Sequence, residues 1–279
     1  MDIVDAQVHV YHKYTEAQTI AAMDALGITG VVIDELWSLE ADGAITPCKS
    51  FPNGAKRALT PLSQAAALKY PDRFSLLQRV SRDDPDPAAL FAILSGTPGC
   101  RAVRIDGREK AEQHALSEGG YDDLLRLSRR HELPVFILMV GPDVAEIARK
   151  ISYRFADIQF ILDHCGRPAS LQQWDEILAL GECPNLAMKW CHAHHYFDAG
   201  PYPFTGLRVQ LARAIESFGS HRIMWASDIT MDRGGVPWAD LLYTVRDDPS
   251  LGMIDKEWVL GRTARTFLRW DVSDPNAAP

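Results

Sequence analysis

Two rhythms of apolar residues alternate along this chain. Short apolar, β-branched runs recur at Ile3–Val10, Gly30–Asp34, Phe74–Gln78, Ala102–Ile105, Pro134–Leu138, Gln159–Asp163, Asn185–Trp190 and Ile223–Ala226. Runs of this length bounded by turn residues read as strands. Between them the apolar positions recur at helical spacing, as in Val144, Ile147, Ala148, Ile151 and Phe155, or Leu207, Leu211, Ala214, Ile215 and Phe218. Eight strands, each followed by a helical segment, predict a parallel sheet with right-handed crossovers. Eight such units close into a single (β/α)8 TIM barrel, an α/β fold that occupies the whole of residues 1–279. An open doubly wound sheet is the competing architecture, but no G-x-G-x-x-G or phosphate-binding loop follows any strand. The longest irregular segment, Trp37 to Arg57, follows the second strand and is expected to form a loop over the barrel mouth.

Composition narrows the function classes. With 47% hydrophobic and 24% charged residues the chain has ordinary globular make-up. The 29 basic and 37 acidic residues leave a formal charge of −8, which argues against a nucleic-acid partner. The longest strongly apolar stretch, Leu133 to Val140, is far shorter than the roughly 20 residues a membrane span needs. The opening Met-Asp-Ile-Val-Asp has no basic or apolar leader pattern, so a cytoplasmic protein without a membrane partner is expected. Five cysteines without C-x-x-C spacing predict reduced thiols rather than a zinc ribbon or disulfide framework. Cys165, between His164 and Gly166, is the one to watch as a nucleophile. A homo-oligomer is compatible with everything in the sequence.

In a barrel of this kind the chemistry lies at the C-terminal ends of the strands. Strict alternation along the first strand puts Asp5, Gln7 and His9 on one face and Val4, Ala6, Val8 and Val10 on the other. The polar set is then expected inside the barrel, with a solvent-wetted strand end as the alternative. Arg104 lies on the fourth strand and Lys189 on the seventh. Inward cations need counter-charges: either a substrate carboxylate or, for Arg104, an internal salt bridge to Asp5 or Asp106. After Lys189 come Cys191 and then His192, His194 and His195, at least one of these three histidines being expected in a solvated loop. The sixth strand ends Asp163-His164-Cys165-Gly166-Arg167-Pro168 and the eighth ends Met224-Trp225-Ala226-Ser227-Asp228. By residue type, His9, His164 and Asp228 at three strand ends form either an acid–base set or a metal site.

These three motifs, in this order, resemble the amidohydrolase superfamily, within it the amidohydrolase-2 group that includes lactonases acting on pyrone and sugar-acid lactones. The matching patterns are D-x-H-x-H at Asp5–His9, D-H-x-G-x-P at Asp163–Pro168 and the late S-D at Ser227-Asp228, spanning roughly residues 2 to 268. Two positions depart from the family pattern. The first His of the first-strand pair is Gln7 here, and the fifth-strand His falls on Leu138. The resemblance implies that metal-dependent members coordinate a divalent ion through both of these positions, through the second His of the pair and through the late Asp. Gln is a poor zinc ligand and Leu is none. No required cofactor is therefore expected, with a single weakly bound divalent metal such as zinc at His9 and Asp228 as the alternative.

The expectation is a metal-independent hydrolase opening a small carboxylate-bearing lactone or related activated ester, since the family contains lactonases that need no metal. Asp228 is expected to act as general base, while His9 and His164, with Gln7 as a neutral donor, stabilise the oxyanion. Arg104, Lys189 and Arg167 are expected to bind the substrate carboxylate, and Tyr11, Trp37 and His192 to line the pocket. The alternatives are a decarboxylase acting on an aromatic or muconate-type acid, and a degenerate, non-catalytic binding protein.

Overall fold

A computed structural model describes residues 1–10, 14–35, 48–231 and 235–271 of the chain. Among the described residues there are ten strands: β1 (Val4–Val8), β2 (Gly30–Asp34), β3 (Cys48–Ser50), β4 (Lys56–Ala58), β5 (Phe74–Val80), β6 (Cys100–Gly107), β7 (Val135–Met139), β8 (Phe160–Leu162), β9 (Leu186–Trp190) and β10 (Ile223–Trp225). Eight of them form one parallel sheet in the order β1-β2-β5-β6-β7-β8-β9-β10, with helices between, as a (β/α)8 barrel requires. All eight expected strands are present, four of them shortened, two lengthened, one shifted by a residue and one with the expected bounds. The addition is β3 and β4, an antiparallel pair inside the segment expected to be irregular; positions 36–47 of that segment lie outside the described residues. At the seam, the Asp228 amide donates to the Gln7 carbonyl (3.0 Å) and the His9 amide to Thr230 Oγ1 (2.8 Å), tying the end of β1 to the turn after β10.

The helices follow the apolar stripes. Val144–Arg154 buries Val144, Ile147, Ala148 and Ile151, and Thr205–Phe218 buries Leu207, Leu211, Ala214 and Phe218. Their partners are the outward side chains of the strands, such as Val103, Ile105, Val135, Ile137, Phe160 and Leu162. No helix among the described residues is long and apolar enough to cross a membrane.

A second, inner cluster contains Val4, Ala6, Val32, Leu77, Ala102, Phe136, Ile161, Ala187, Met224 and Ala226. Strict alternation fails on β1, where Val4 and Ala6 point inward but Val8 and Val10 join the outer layer. The cause is a break in the β1–β2 register between Asp5 and Val8, which shifts the side-chain phase as a bulge does. Gln7 and His9 are thereby delivered to the interior, while Asp5, expected with them, is turned toward Ser227 and Trp238.

The N-terminal end of the barrel is sealed by Ala264, Leu268 and Trp270. The Trp270 indole N–H donates to the Pro71 carbonyl (3.0 Å), and its ring lies so close to Gly30 that a Cβ there would stand 2.8 Å away. The Arg265 guanidinium covers the ring at 4.2 Å and is itself paired with Asp2. Removing so large a buried side chain leaves a cavity that flanking strands cannot close. Trp270→Ala is expected to destabilise the fold by about 3–5 kcal/mol, measurable as a lower denaturant midpoint at unchanged m-value.

Candidate active site

Above the inner apolar layer, the next inward position on five strands is charged: Asp34 after Val32, Arg79 after Leu77, Arg104 after Ala102, Asp163 after Ile161 and Lys189 after Ala187. All five are buried. Arg79 grips both Asp34 carboxylate oxygens, Nε to Oδ1 at 3.0 Å and Nη2 to Oδ2 at 2.7 Å. Arg104 bridges Asp34 and Asp163, with its Nε 2.7 Å from Asp163 Oδ2. Lys189 closes the series, donating to Asp163 and to Gln7 Oε1 while its ammonium lies 4.9 Å over the Phe136 ring. Burial alone would raise the Asp34 pKa, but Arg79 and Arg104 hold it far below the carboxylate range. Arg104, penalised by burial, is held charged by Asp163 and Asp34.

Arg104 and Lys189 therefore have their counter-charges within the protein. The partners are Asp34 and Asp163, not the Asp5 or Asp106 considered for Arg104. The expectation that these two cations meet a substrate carboxylate is corrected accordingly, because both are already paired with buried carboxylates. Arg167 differs. It is half-buried, follows the turn after β8 in left-handed conformation (φ 52°), and has no carboxylate partner among the described residues. Its charge is close enough to help depress the His164 pKa.

Asp228 stands one level higher. Its Oδ1 lies 3.0 Å from His9 Nε2, and its Oδ2 accepts from Gln7 Nε2 at 3.0 Å. His9 Nδ1 is 2.5 Å from the Asp34 carbonyl oxygen, which can only accept, so that nitrogen carries a hydrogen. His9 Nε2 faces Asp228 Oδ1 and also lies 3.3 Å from the Gln7 amide nitrogen. Burial raises the Asp228 pKa, but His9, His192 and Arg104 outweigh it and hold the group below the usual carboxylate value. His9 and Gln7, expected to polarise a carbonyl, instead have their side chains committed to positioning Asp228.

The open side of Asp228 faces two imidazoles. His164 Nε2 and His192 Nε2 each lie 3.8 Å from Oδ2, and their rings stack 5.2 Å apart at 16°. Burial, Lys189 and Arg104 push the His164 pKa well down and keep it neutral. His164, His192 and Asp228 all take positive φ, at 51°, 52° and 49°. Such a conformation is uncommon for residues other than glycine and costs of order 1–3 kcal/mol. It turns each strand end sharply inward. Cys191 lies beside this group, its sulfur within 4.8 Å of the nearest ligand atoms of His164, His192 and Asp228. Sequence reasoning missed Cys191 and Asp34, although the inward spacing that marks Arg104 and Lys189 also marks both.

The family's metal position is poorly furnished. Leu138 supplies no donor, the Gln7 amide N–H points at Asp228, and Gln7 Oε1 is taken by the Lys189 ammonium. A divalent ion held as in metal-dependent relatives does not fit. Cys165 is fully buried, its thiol pushed up to about 12 by burial and hydrogen-bonded to the Cys191 carbonyl, which removes it as a nucleophile. Tyr11 and Trp37 lie outside the described residues.

Asp5 is a positioning residue. It accepts from the Ser227 hydroxyl and amide, the Gln7 amide and the Trp238 indole, and so joins β1 to the turn that carries Asp228. Burial nevertheless raises its pKa to about 6, its hydrogen bonds opposing the shift.

The amidohydrolase family model Amidohydro_2 matches residues 50–270. A candidate 2-pyrone-4,6-dicarboxylic acid hydrolase from Pseudomonas putida superposes with a TM-score of 0.72 at 17% identity, covering 98% of this chain and 99% of its own. An amidohydrolase from Burkholderia multivorans with bound zinc gives 0.77 at 14% identity, covering 97% and 100%. The 5-carboxyvanillate decarboxylase from Novosphingobium aromaticivorans, complexed with manganese, gives 0.59 at 17% identity, covering 90% and 79%. No curated protein matches the chain in sequence.

Two tests follow from this geometry. Arg104→Met leaves Asp34 and Asp163 each short of a counter-charge and is expected to cost about 3–5 kcal/mol of stability, read by chemical denaturation. For Asp5, the folded-state pKa near 6 lies above its ordinary 3.8, so its stabilising contribution is full below the lower value and is lost as pH rises through the upper one. Relative to Asp5→Asn, the wild type should lose about 3 kcal/mol between about pH 4 and about pH 7. A pH-independent difference between the two proteins would show that Asp5 is ionised throughout.

Proposed function

This chain belongs to the amidohydrolase family Amidohydro_2, and from that premise we propose that it is a hydrolase that opens a carboxylate-bearing lactone without a required metal. The observation that carries the reading is an ionised, buried Asp228, fixed through both oxygens by His9 and Gln7. A carboxylate so placed can take the proton of an attacking water. Its low basicity demands a strongly polarised carbonyl, and a ring-opening ester meets that demand more readily than an amide. His164, neutral and beside Asp228, is the donor for the developing oxyanion, assisted by His192 on the same side. Protonated Asp228 then returns its proton to the leaving alkoxide. Arg167 is the cation for the substrate carboxylate, in the bidentate manner suited to guanidinium. Resemblance to the pyrone-dicarboxylic acid hydrolase supports the choice of an anionic lactone.

A lyase remains the competing chemistry, because decarboxylases share the fold. Reaction in 18O-water separates the two: hydrolysis puts one labelled oxygen into the product carboxylate, whereas decarboxylation releases carbon dioxide and incorporates none. On a panel of carboxylated lactones, Asp228→Asn is expected to lower kcat by about 10²–10⁴-fold with little change in KM. Arg167→Met is expected to raise KM for the anionic substrate about 10-fold or more, the scale of a charged hydrogen bond lost, and to leave its methyl ester unaffected. An Asp228→Asn enzyme of near-full kcat would refute the role of the base.

A further inference from the structure

We propose that His164, Cys191, His192 and Asp228 form a site for a zinc-class ion, and that its occupation silences the hydrolysis. The silencing half rests on the reading of Asp228 as base; the site itself does not. One ligand atom from each of the four residues falls within 4.8 Å of all the others. The two imidazole Nε2 atoms lie 3.8 Å from the same Asp228 oxygen. Zinc bonds of about 2.0–2.1 Å to nitrogen and about 2.3 Å to sulfur imply tetrahedral edges of roughly 3.3–3.7 Å. The two imidazole–carboxylate edges need contract by only a few tenths of an ångström, and the longest separation in the set by about 1 Å or more, within reach of side-chain rotation. The donors are two imidazoles, a thiol sulfur and a carboxylate, a set that selects zinc or cobalt over magnesium and calcium.

The placement differs from that implied for metal-dependent relatives. Their ion depends on side chains that are Gln7 and Leu138 here, whereas this set draws two ligands from the end of β9. Three of the four residues are carried on left-handed strand-end turns, so their approach is built into the backbone. To offer Nε2 to the ion, neutral His164 carries its hydrogen on Nδ1, the opposite tautomer from the one that donates to an oxyanion. Coordination replaces the Cys191 S–H bond with a sulfur–metal bond and releases that proton to solvent; nothing is oxidised or reduced. It also engages the Asp228 oxygen and the His164 nitrogen, so the base and the oxyanion donor are withdrawn together.

The test titrates cobalt(II), then zinc, into the metal-free full-length protein. One equivalent of cobalt should give a thiolate-to-cobalt charge-transfer band, and X-ray absorption of the zinc form should find one sulfur among its ligands. Cys191→Ser should lose the band, while Cys165→Ser keeps it. Hydrolysis of the best lactone should fall in step with zinc occupancy, by at least about 100-fold at saturation, the scale of losing a positioned base. Failure to bind, or binding without sulfur, overturns the inference and leaves the hydrolase reading standing. Binding through sulfur with an undiminished rate overturns the silencing and, with it, the role of Asp228 as a free base.

Discussion

The active end of this barrel depends on one buried assembly of charges. Arg79, Asp34, Arg104, Asp163 and Lys189 run around the interior at the same height, three cations against two anions. Each is costly to bury alone and tolerable only in company. Asp228 is held ionised first by His9 beside it, then by His192, with Arg104 of the ring beneath adding to both. A carboxylate this deeply buried would otherwise take up a proton at neutral pH. The ring thus links fold to site: through Lys189 it holds Gln7, which donates to Asp228, and through Arg104 it adds to the field that keeps Asp228 ionised.

The same assembly engages the position that the family resemblance assigns to a metal. With Gln7 replacing an imidazole, the first strand offers an amide that donates to Asp228 and accepts from Lys189. The neighbourhood that a divalent ion would fill is occupied by hydrogen bonds and an ammonium. In the proposed reaction, polarisation is assigned to neutral His164 and its stacked neighbour His192, which face the Asp228 oxygen not contacted by His9. Those two imidazoles, with Cys191, are also the atoms best arranged to capture an ion of their own.

Much of this was legible in the sequence because it is periodic. The eight strands, the two helical stripes and the clustering of His9, His164 and Asp228 at strand ends follow from spacing and barrel geometry. The expectation for β1 failed at a single register break, invisible to a rule of strict alternation, which sent Val4 and Ala6 inward and Asp5 away. The fate of Arg104 and Lys189 was misjudged for a different reason. Spacing shows that a cation points inward but not that Asp34 and Asp163, on other strands, arrive at the same height. Cys191 was overlooked as a ligand because two of its three partners, His164 and Asp228, are distant in sequence and converge on it only through backbone turns of positive φ.

The claim at the centre of this account is that buried Asp228 is a carboxylate at neutral pH. Selective 13C labelling of aspartate, with Asp228 assigned by its absence in Asp228→Asn, allows its carboxyl shift to be followed through an acid titration. The account predicts that this carbon stays at the ionised position from neutrality down through the ordinary carboxylate range and moves only below it. A carboxyl that titrates near neutrality, or is already protonated there, would contradict it.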